Sequence, residues 1–245
     1  MTGNVLAIIG GTGAEPPEGF VQRDLNTITT PFGESGPIAF GALNERQCLF
    51  MQRHGDGHTV APHRINYRAN LWALSQCAAT HVLALNTVGG IHAEATPGSL
   101  WLVDDLIDYT WGREQSCYDG TVNELRHQEC ARPYCDLMRR AVLSAARDAG
   151  LTLHDGGVYG CTQGPRLETA AEIRRMRNDG CDVVGMTGMP EGVLAAELGL
   201  RYASLCMVVN PAAGLSAEPI SLEQIMQEAA GCMIKVQQLV ARLKV

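Results

Sequence analysis

The sequence predicts an α/β fold in which a mixed, mostly parallel central sheet is covered by helices on both faces. Short continuous apolar runs alternate with segments of helical periodicity along the chain, and neither a linker nor an internal repeat interrupts them. Strands buried on both faces form such continuous apolar runs. We therefore expect residues 1–245 to form one domain, a three-layer sandwich.

Apolar runs predict strands at 5–9, 37–42, 47–52, 81–85, 100–103, 157–162, 182–186 and 202–209. Helical spacing predicts helices at 65–78, 134–149, 169–178, 190–198 and 221–243. The stretches 10–13 and 86–90, each directly after an apolar strand, are expected to be loops. Residues 112–133 are polar and aperiodic, which predicts a long loop near the site or at a subunit contact.

Composition narrows the class of partner. Nineteen Lys and Arg stand against 26 Asp and Glu, a net charge of −7, and no basic run exists, which argues against nucleic acid. Polar residues interrupt the uncharged stretch 69–93, so we expect no membrane span, and the first basic residue, Arg23, comes too late for a secretory signal. Nine cysteines without a CxxC pair predict reduced thiols in a cytoplasmic protein, and not zinc ligands.

Ligands of open α/β sheets gather at the carboxyl ends of strands, so the loops there are the places to search. The loop from Gly10 to Gly13 offers backbone N–H groups and the Thr12 hydroxyl, which suit an anion. A plain tight turn is the alternative. A dinucleotide fingerprint is excluded because its third glycine would fall on Pro16, and the Walker A pattern is absent.

A second loop combines Arg53 and His54 with Asp56 and His58. The planar fork of an arginine and a neighbouring imidazole suit phosphate. A metal site from His54, Asp56 and His58 and a purely structural loop are the alternatives. The flanking glycines and the adjacent arginine favour the anion.

Two further strand ends carry hydroxyl groups. Thr87 follows the strand 81–85, and Thr187 follows the strand 182–186 just before a helix that begins at Pro190. Each hydroxyl is a candidate donor to the same anion, and the alternatives are an ordinary turn at Thr87 and a helix cap at Thr187. Met186 is either part of the site or filler of the core.

Five segments together resemble the trimeric purine nucleoside phosphorylases, and more closely their methylthioadenosine/methylthioinosine phosphorylase branch: 10–13, 53–58, 66–74, 163–169 and 185–191. The resemblance implies the nucleoside phosphorylase type of sandwich, a homotrimer, and reversible phosphorolysis without metal or organic cofactor, with inorganic phosphate as co-substrate. It also implies that Met186 packs beside the ribose. The phosphate site that it implies consists of Thr12, Arg53, His54, Thr87, the Val88 backbone and Thr187.

The resemblance places two polar residues, Glu168 and Asn210, at the purine base as the catalytic and base-selecting pair. Asn210, followed by Pro211, stands where members acting on adenine nucleosides carry an aspartate, and Ala212 stands at a second aspartate position. An amide donates to O6 of a 6-oxopurine and accepts a hydrogen from N7, and a carboxylate accepts the N1–H that adenine lacks. Adenine would therefore be disfavoured by roughly 1–3 kcal/mol.

The 5′ end of the substrate is implied to meet Leu222 and Ile225, whose side chains bury a methylthio group and offer no partner to a hydroxyl. The alternative is that both belong to the core face of the C-terminal helix. His127 matches a histidine that a neighbouring subunit contributes. These residues predict phosphorolysis of S-methyl-5′-thioinosine to hypoxanthine and 5-methylthioribose 1-phosphate, with a broader 6-oxopurine nucleoside phosphorylase, a methylthioadenosine phosphorylase and a non-catalytic nucleotide- or anion-binding protein as alternatives.

Overall fold

The computed structural model describes residues 3–217 and 219–245. Within these residues the α-helices are α1 (Tyr67–Gln76), α2 (Asp136–Asp148), α3 (Ala170–Asn178), α4 (Gly188–Glu197) and α5 (Leu222–Val240), with short 3-10 turns at Asp56–His58 and Pro62–Arg64. The strands are β1 (Leu6–Gly10), β2 (Val21–Asn26), β3 (Thr29–Thr30), β4 (Gly33–Glu34), β5 (Ile38–Leu43), β6 (Arg46–Gln52), β7 (His81–Gly90), β8 (Leu100–Leu102), β9 (Asp105–Asp108), β10 (His154–Asp155), β11 (Val158–Cys161), β12 (Val183–Gly185) and β13 (Arg201–Pro211).

Side-chain caps define the start of three of these helices. Asn66 accepts the backbone N–H of Ala69 ahead of α1, Ser221 caps α5 in the same way, and Thr169 forms a reciprocal capping box with Glu172 at α3. Such a cap contributes about 1 kcal/mol to a helix.

The main sheet is built around four parallel strands in the order β6, β1, β7 and β13. On one side β5 and β2 continue it as antiparallel strands, and on the other side β8 and β10 follow β13. A second arm of β12, β11 and β9 joins β7 through β12. The prediction of a mixed sheet is confirmed.

The long strand β7 changes partner part of the way along its length. Residues 81–84 pair with β1, whereas Gly89 and Gly90 pair with the antiparallel strand β12. The prediction that the strand ends at Leu85 and that 86–90 form a loop is therefore wrong, because β13 stays paired with β7 through to Gly90 and β12 replaces β1 on the other side at the end. The side chains near the exchange of partners lie at the centre of the candidate site.

Helices cover both faces of the sheet, which confirms the three-layer sandwich. Side chains from α1 and α4, among them Leu71 and Leu194, share one apolar cluster with the sheet, and side chains from α2 and α5, among them Val142 and Leu239, share the opposite one. All four are fully buried, and each such side chain contributes roughly 1.5–3 kcal/mol.

Some elements differ from the prediction. The segments β2, β3, β4, β9 and β10 were not predicted; β2 is exposed along its whole length and has no apolar alternation. The aperiodic segment around 112–133 contains neither helix nor strand, as expected. All nine cysteines are free, six of them buried, and burial raises the pKa of Cys161 to about 12. In the part of the chain that is described, no helix is long and apolar enough to cross a membrane.

Candidate active site

A cavity of about 470 Å³ lies where β7 exchanges β1 for β12. The register explains why distant segments meet here: Gly10 of β1 lies beside Gln52 of β6, so the residues that follow both strands come together at one edge. The cavity contains all but two of the predicted site residues, namely Thr12, Arg53, His54, Thr87, Val88, Glu168, Met186, Thr187, Asn210, Ala212, Leu222 and Ile225.

Arg53 reaches the cavity wall, but its guanidinium is engaged by a buried carboxylate. Its Nε and Nη2 each donate to Glu191 at 2.9 Å, and its Nη1 donates to the carbonyl of Leu85 at 2.7 Å. Both side chains of the pair are buried, at 0% and 1% exposure. Burial lowers the pKa of Arg53, but the neighbouring Glu191 carboxylate raises it by more. The net pKa of Arg53 therefore lies above its usual range. One Nη1 hydrogen is not used by these bonds, but the side chain is fully buried, so an anion reaches it only after a local shift.

Glu191 was not predicted as a site residue, although it directly follows Pro190, the predicted start of a helix. It lies in α4 and accepts a third hydrogen bond, at 2.8 Å, from the hydroxyl of Tyr202 on β13. The carboxylate thereby fixes the orientation of Arg53 against the sheet. Removing one partner from such a buried pair costs about 3–5 kcal/mol.

His54 is held as a neutral imidazole with a defined tautomer. Its Nδ1 lies 2.8 Å from the carbonyl of Val60, so Nδ1 carries the hydrogen and Nε2 is an acceptor. Burial lowers the pKa of His54 to about 4. The ring of His58 packs against it at 4.2 Å between centroids, and burial lowers the pKa of His58 as well. A neutral Nε2 can accept the P–OH hydrogen of hydrogen phosphate.

Hydroxyl groups supply the other polar contacts at this end of the cavity. The Thr187 hydroxyl donates to Oδ1 of Asn86 at 2.8 Å, and Nδ2 of Asn86 donates to the Ser204 hydroxyl at 2.8 Å. Asn86 is buried and was not predicted as a site residue, although it directly precedes Thr87. Thr12 and Thr87 both line the cavity at intermediate exposure.

Gly11 permits the close approach of the loop after β1 to this end of the cavity. A Cβ at this position would lie 2.7 Å from the carbonyl oxygen of Leu85 and 2.8 Å from Nη1 of Arg53. Any side chain would therefore push the loop away from the arginine. The loop carries Thr12 to the cavity edge because residue 11 is a glycine.

The other end of the cavity is formed around Asn210. The register of β13 against β7 shifts between Val208 and Asn210, so that Asn210 lies opposite Gly89. A Cβ on Gly89 would lie 3.3 Å from Nδ2 of Asn210, so the glycine leaves room for the amide. Nδ2 of Asn210 donates to the carbonyl of Pro211 at 2.7 Å. The bulge thus turns the amide toward the cavity.

Glu168 lies on the connection between β11 and α3 and contributes a carboxylate to the same cavity. The hydroxyl of Thr162 donates to its Oε1 at 2.5 Å. Thr162 was predicted only as the end of a strand. No feature of the sequence by itself distinguishes it from other strand ends.

An apolar wall formed by Ile220, Leu222 and Ile225 lines the mouth of the cavity. Leu222 is 72% exposed and Ile225 is partly buried, so neither belongs to the apolar core beneath α5. The alternative that both residues form the core face of the C-terminal helix is therefore wrong. Met186 also lines the cavity, which excludes a role only as core filler.

Two predicted site residues do not line this cavity. Pro211 lines a neighbouring depression, and its carbonyl accepts the hydrogen bond from the Asn210 amide. His127 is exposed in the long irregular segment and is not among the residues that line the cavity of its own chain. Pro211, predicted as a substrate-binding residue, thus does not line the cavity that Asn210 and Ala212 line.

Arg113 does not line the cavity but supports it from behind, a role that the sequence did not reveal because Arg113 lies in an aperiodic segment. Its guanidinium donates to the carbonyls of Met186 at 2.9 Å, of Gln163 at 2.9 Å and of Thr162 at 3.2 Å. It also lies over the ring of Tyr67, 5.6 Å from the centroid. Arg113 thus ties together the two loops that carry Glu168 and Met186.

The loop after β6 also carries the residues of the metal alternative, His54, Asp56 and His58. Within residues 3–217 and 219–245, no three His, Cys, Asp or Glu side chains converge as a metal site. The structure brings His54 and His58 together, and their rings pack against each other at an angle of 33°.

Comparisons with known proteins show what the chain is similar to in sequence and fold. The family model described as "Phosphorylase superfamily" matches residues 5–244. A probable S-methyl-5′-thioinosine phosphorylase of Xanthomonas campestris is 48% identical over 240 residues, which cover 97% of this chain and 96% of that protein. A 6-oxopurine nucleoside phosphorylase of Pyrococcus furiosus is 40% identical, with 91% of this chain and 85% of that protein covered. The structure of the methylthioadenosine phosphorylase of Schistosoma mansoni in complex with adenine superimposes with a TM-score of 0.93 at 29% identity, covering 98% of this chain and 91% of that one.

Proposed function

Because the chain belongs to the phosphorylase superfamily, we propose that it catalyses the phosphorolysis of S-methyl-5′-thioinosine. The products are hypoxanthine and 5-methylthioribose 1-phosphate. The relative from Xanthomonas campestris bears the name of this activity. The proposal also rests on the chemistry of the cavity, which has polar donors at one end, Asn210 and Glu168 at the other end and an apolar wall at its mouth.

A single observation carries the choice of substrate: Glu168 and Asn210 line the same cavity as an apolar wall. The carboxylate accepts N1–H of a 6-oxopurine, and the amide donates to O6 or accepts from N7. The wall that contains Leu222 and Ile225 accommodates a thioether, because a hydroxyl would find no partner there. Together these groups fit a methylthio nucleoside with a lactam base.

Phosphate is the nucleophile in this reaction, so no serine or cysteine nucleophile is required. In our proposal the Thr12 and Thr87 hydroxyls and the Val88 backbone hold the anion. The Thr187 hydroxyl joins them by turning its hydrogen from Oδ1 of Asn86 to the phosphate, and Arg53 adds its remaining Nη1 hydrogen after a local shift uncovers the buried guanidinium. The neutral His54 accepts the P–OH hydrogen. The main contribution of these groups is to orient the phosphate beneath C1′.

The leaving base becomes negatively charged as the glycosidic bond breaks. Asn210 would stabilise that charge by donating an Nδ2 hydrogen to N7 or O6, and the phosphate would stabilise the ribosyl cation that faces it. The proton that the base finally takes up is the P–OH hydrogen that the phosphate gives up on forming its bond to C1′. Glu168 would hold the N1–H edge so that the base leaves in the correct orientation. No resident metal or organic cofactor is part of this mechanism.

A broader 6-oxopurine nucleoside phosphorylase is the second candidate, favoured by the 40% identity to the Pyrococcus furiosus protein of that name. It shares the base contacts of the first candidate, because Glu168 and Asn210 do not touch the 5′ group. The two candidates therefore differ only at the apolar wall.

We further propose that the active form is a cytoplasmic homotrimer. Leu222 is largely exposed at the cavity mouth, and His127 is exposed in the irregular segment. Residues that a neighbouring subunit covers in the trimer are exposed in this way when one chain stands alone. His127 of one subunit would then complete the site of its neighbour. Nine free cysteines are consistent with a reducing compartment.

Release of hypoxanthine from S-methyl-5′-thioinosine, with and without phosphate, tests the proposal. We expect release only with phosphate, formation of 5-methylthioribose 1-phosphate, and slower turnover of inosine and methylthioadenosine. Efficient cleavage of inosine and guanosine would support the second candidate. Preferred cleavage of methylthioadenosine, equal release without phosphate, or binding without turnover would each contradict the proposed activity.

A further inference from the structure

The carboxylate of Glu168 depends on one neighbouring side chain for its position. Glu168 lies on a connection between β11 and α3 and lines two cavities at once, the candidate active site and an adjoining one of about 570 Å³. Its side chain is partly exposed. Among the described residues, the only hydrogen bond to its carboxylate comes from the Thr162 hydroxyl, at 2.5 Å.

Thr162 is itself firmly fixed. It directly follows β11, and its backbone N–H donates to the carbonyl of Gly185 in β12 at 2.8 Å. Its own carbonyl accepts a hydrogen bond from Arg113 at 3.2 Å. The hydroxyl oxygen lies 3.3 Å from the Gly185 carbonyl, so its single hydrogen is directed to the nearer Glu168 oxygen. Thr162 therefore anchors Glu168 to the sheet.

The other cation near Glu168 is already engaged. Arg166 donates through both Nη atoms to Glu172, at 2.7 and 2.9 Å. Glu172 is in turn fixed by the capping box that it forms with Thr169 at the start of α3. Arg166 is thus not available to hold Glu168, and Thr162 is the group that does.

We propose that Thr162 is a positioning residue that determines base selectivity through Glu168. With Oε1 occupied by the Thr162 hydroxyl, the free oxygen Oε2 is presented to the base as a hydrogen-bond acceptor. An acceptor at this position binds N1–H of a 6-oxopurine and opposes the unprotonated N1 of adenine. Without the hydroxyl, the carboxylate is free to turn into the adjoining cavity, and the discrimination is lost. This inference rests on the proposed function for the identity of the base.

The test compares Thr162→Val, which keeps the shape but removes the hydroxyl, with Thr162→Ser, which restores the hydroxyl. We expect Thr162→Val to lower the ratio of kcat/KM for S-methyl-5′-thioinosine over methylthioadenosine by roughly tenfold. We expect Thr162→Ser to return the ratio to within about threefold of the wild-type value. Thr110→Val is the matched control, because the Thr110 hydroxyl is buried in the adjoining cavity wall without a partner in the described chain. The control should leave the ratio unchanged.

Affinities for the free bases, measured by titration calorimetry, separate this inference from the proposed function. We expect Thr162→Val to reduce the preference for hypoxanthine over adenine in binding, even if wild-type protein turns over neither nucleoside. Thr162→Ala, which also lacks the hydroxyl, provides the same comparison if the valine variant does not fold. An unchanged preference in the variant that folds, no rescue by serine, or a wild-type protein that binds neither base would overturn the role of Thr162.

Discussion

The buried pair of Arg53 and Glu191 allows a quantitative prediction about Glu191→Gln. The carboxylate is 1% exposed and accepts both bonds of the Arg53 fork at 2.9 Å and the Tyr202 hydroxyl at 2.8 Å. A glutamine amide would present N–H groups to one arm of the guanidinium and leave the arginine charge uncompensated. Removing one partner of a buried pair costs about 3–5 kcal/mol. For a chain of 245 residues this corresponds to a drop in Tm of roughly 6–20 °C.

Thermal unfolding followed by circular dichroism, at one protein concentration and without phosphate, measures this effect. Glu114→Gln is the matched control, because Glu114 pairs with Arg68 at 3.3 Å while its own side chain is 69% exposed. An exposed pair contributes about 0–1 kcal/mol, so this variant should melt within a few degrees of the wild type. A Glu191→Gln variant that melts as the Glu114→Gln variant does would refute the structural role given to the pair.

Three further predictions concern the cavity. Asn210→Asp should lower the preference for S-methyl-5′-thioinosine over methylthioadenosine by roughly tenfold to a hundredfold in kcat/KM, and an unchanged preference would rule out the amide as a selector. Leu222→Asn should raise KM for S-methyl-5′-thioinosine by roughly tenfold and leave inosine less affected, since apolar burial of the methylthio group is lost; equal effects on both would contradict the apolar wall. His54 has a pKa of about 4 in the folded chain and an ordinary value near 6.5, so the unfolded chain binds the extra proton and stability falls as pH drops from 6.5 to 4. Over that pH interval, denaturant titrations should show that the free energy of unfolding of His54→Gln falls by up to roughly 3 kcal/mol less than that of the wild type. A free energy of unfolding that falls with pH as steeply in the variant as in the wild type would disprove the assignment.

The sequence predicted the elements whose signal is local. The sequence predicted β7 from the continuous apolar run 81–85 and α1 from the helical spacing of 65–78. A strand buried on both faces is apolar throughout, whereas a helix buried on one face has apolar residues every three or four positions. The continuation of β7 to Gly90 was not predictable in this way. Its second half is a strand because β13, more than a hundred residues away in sequence, pairs with it through to Gly90, and because β12 pairs with its last two residues.

The residues of the candidate site also fall into two groups, those with a local signal in the sequence and those without one. Residues next to strand ends, such as Thr12 and His54, were predictable because glycine loops and donor side chains follow apolar runs there. Arg113, Asn86 and Thr162 were missed, since their importance arises from tertiary hydrogen bonds to residues far away in the chain. The pairing of Arg53 with Glu191, 138 residues apart, was missed for the same reason.

A crystal structure with hypoxanthine and phosphate bound is the most direct test of the central claim, that one cavity recognises a lactam base through Glu168 and Asn210. We predict N1 of the base within 3.2 Å of a Glu168 carboxylate oxygen, and O6 or N7 at a similar distance from the Asn210 amide. A base that contacts neither residue, or a Glu168 carboxylate that faces solvent in that complex, would contradict the account.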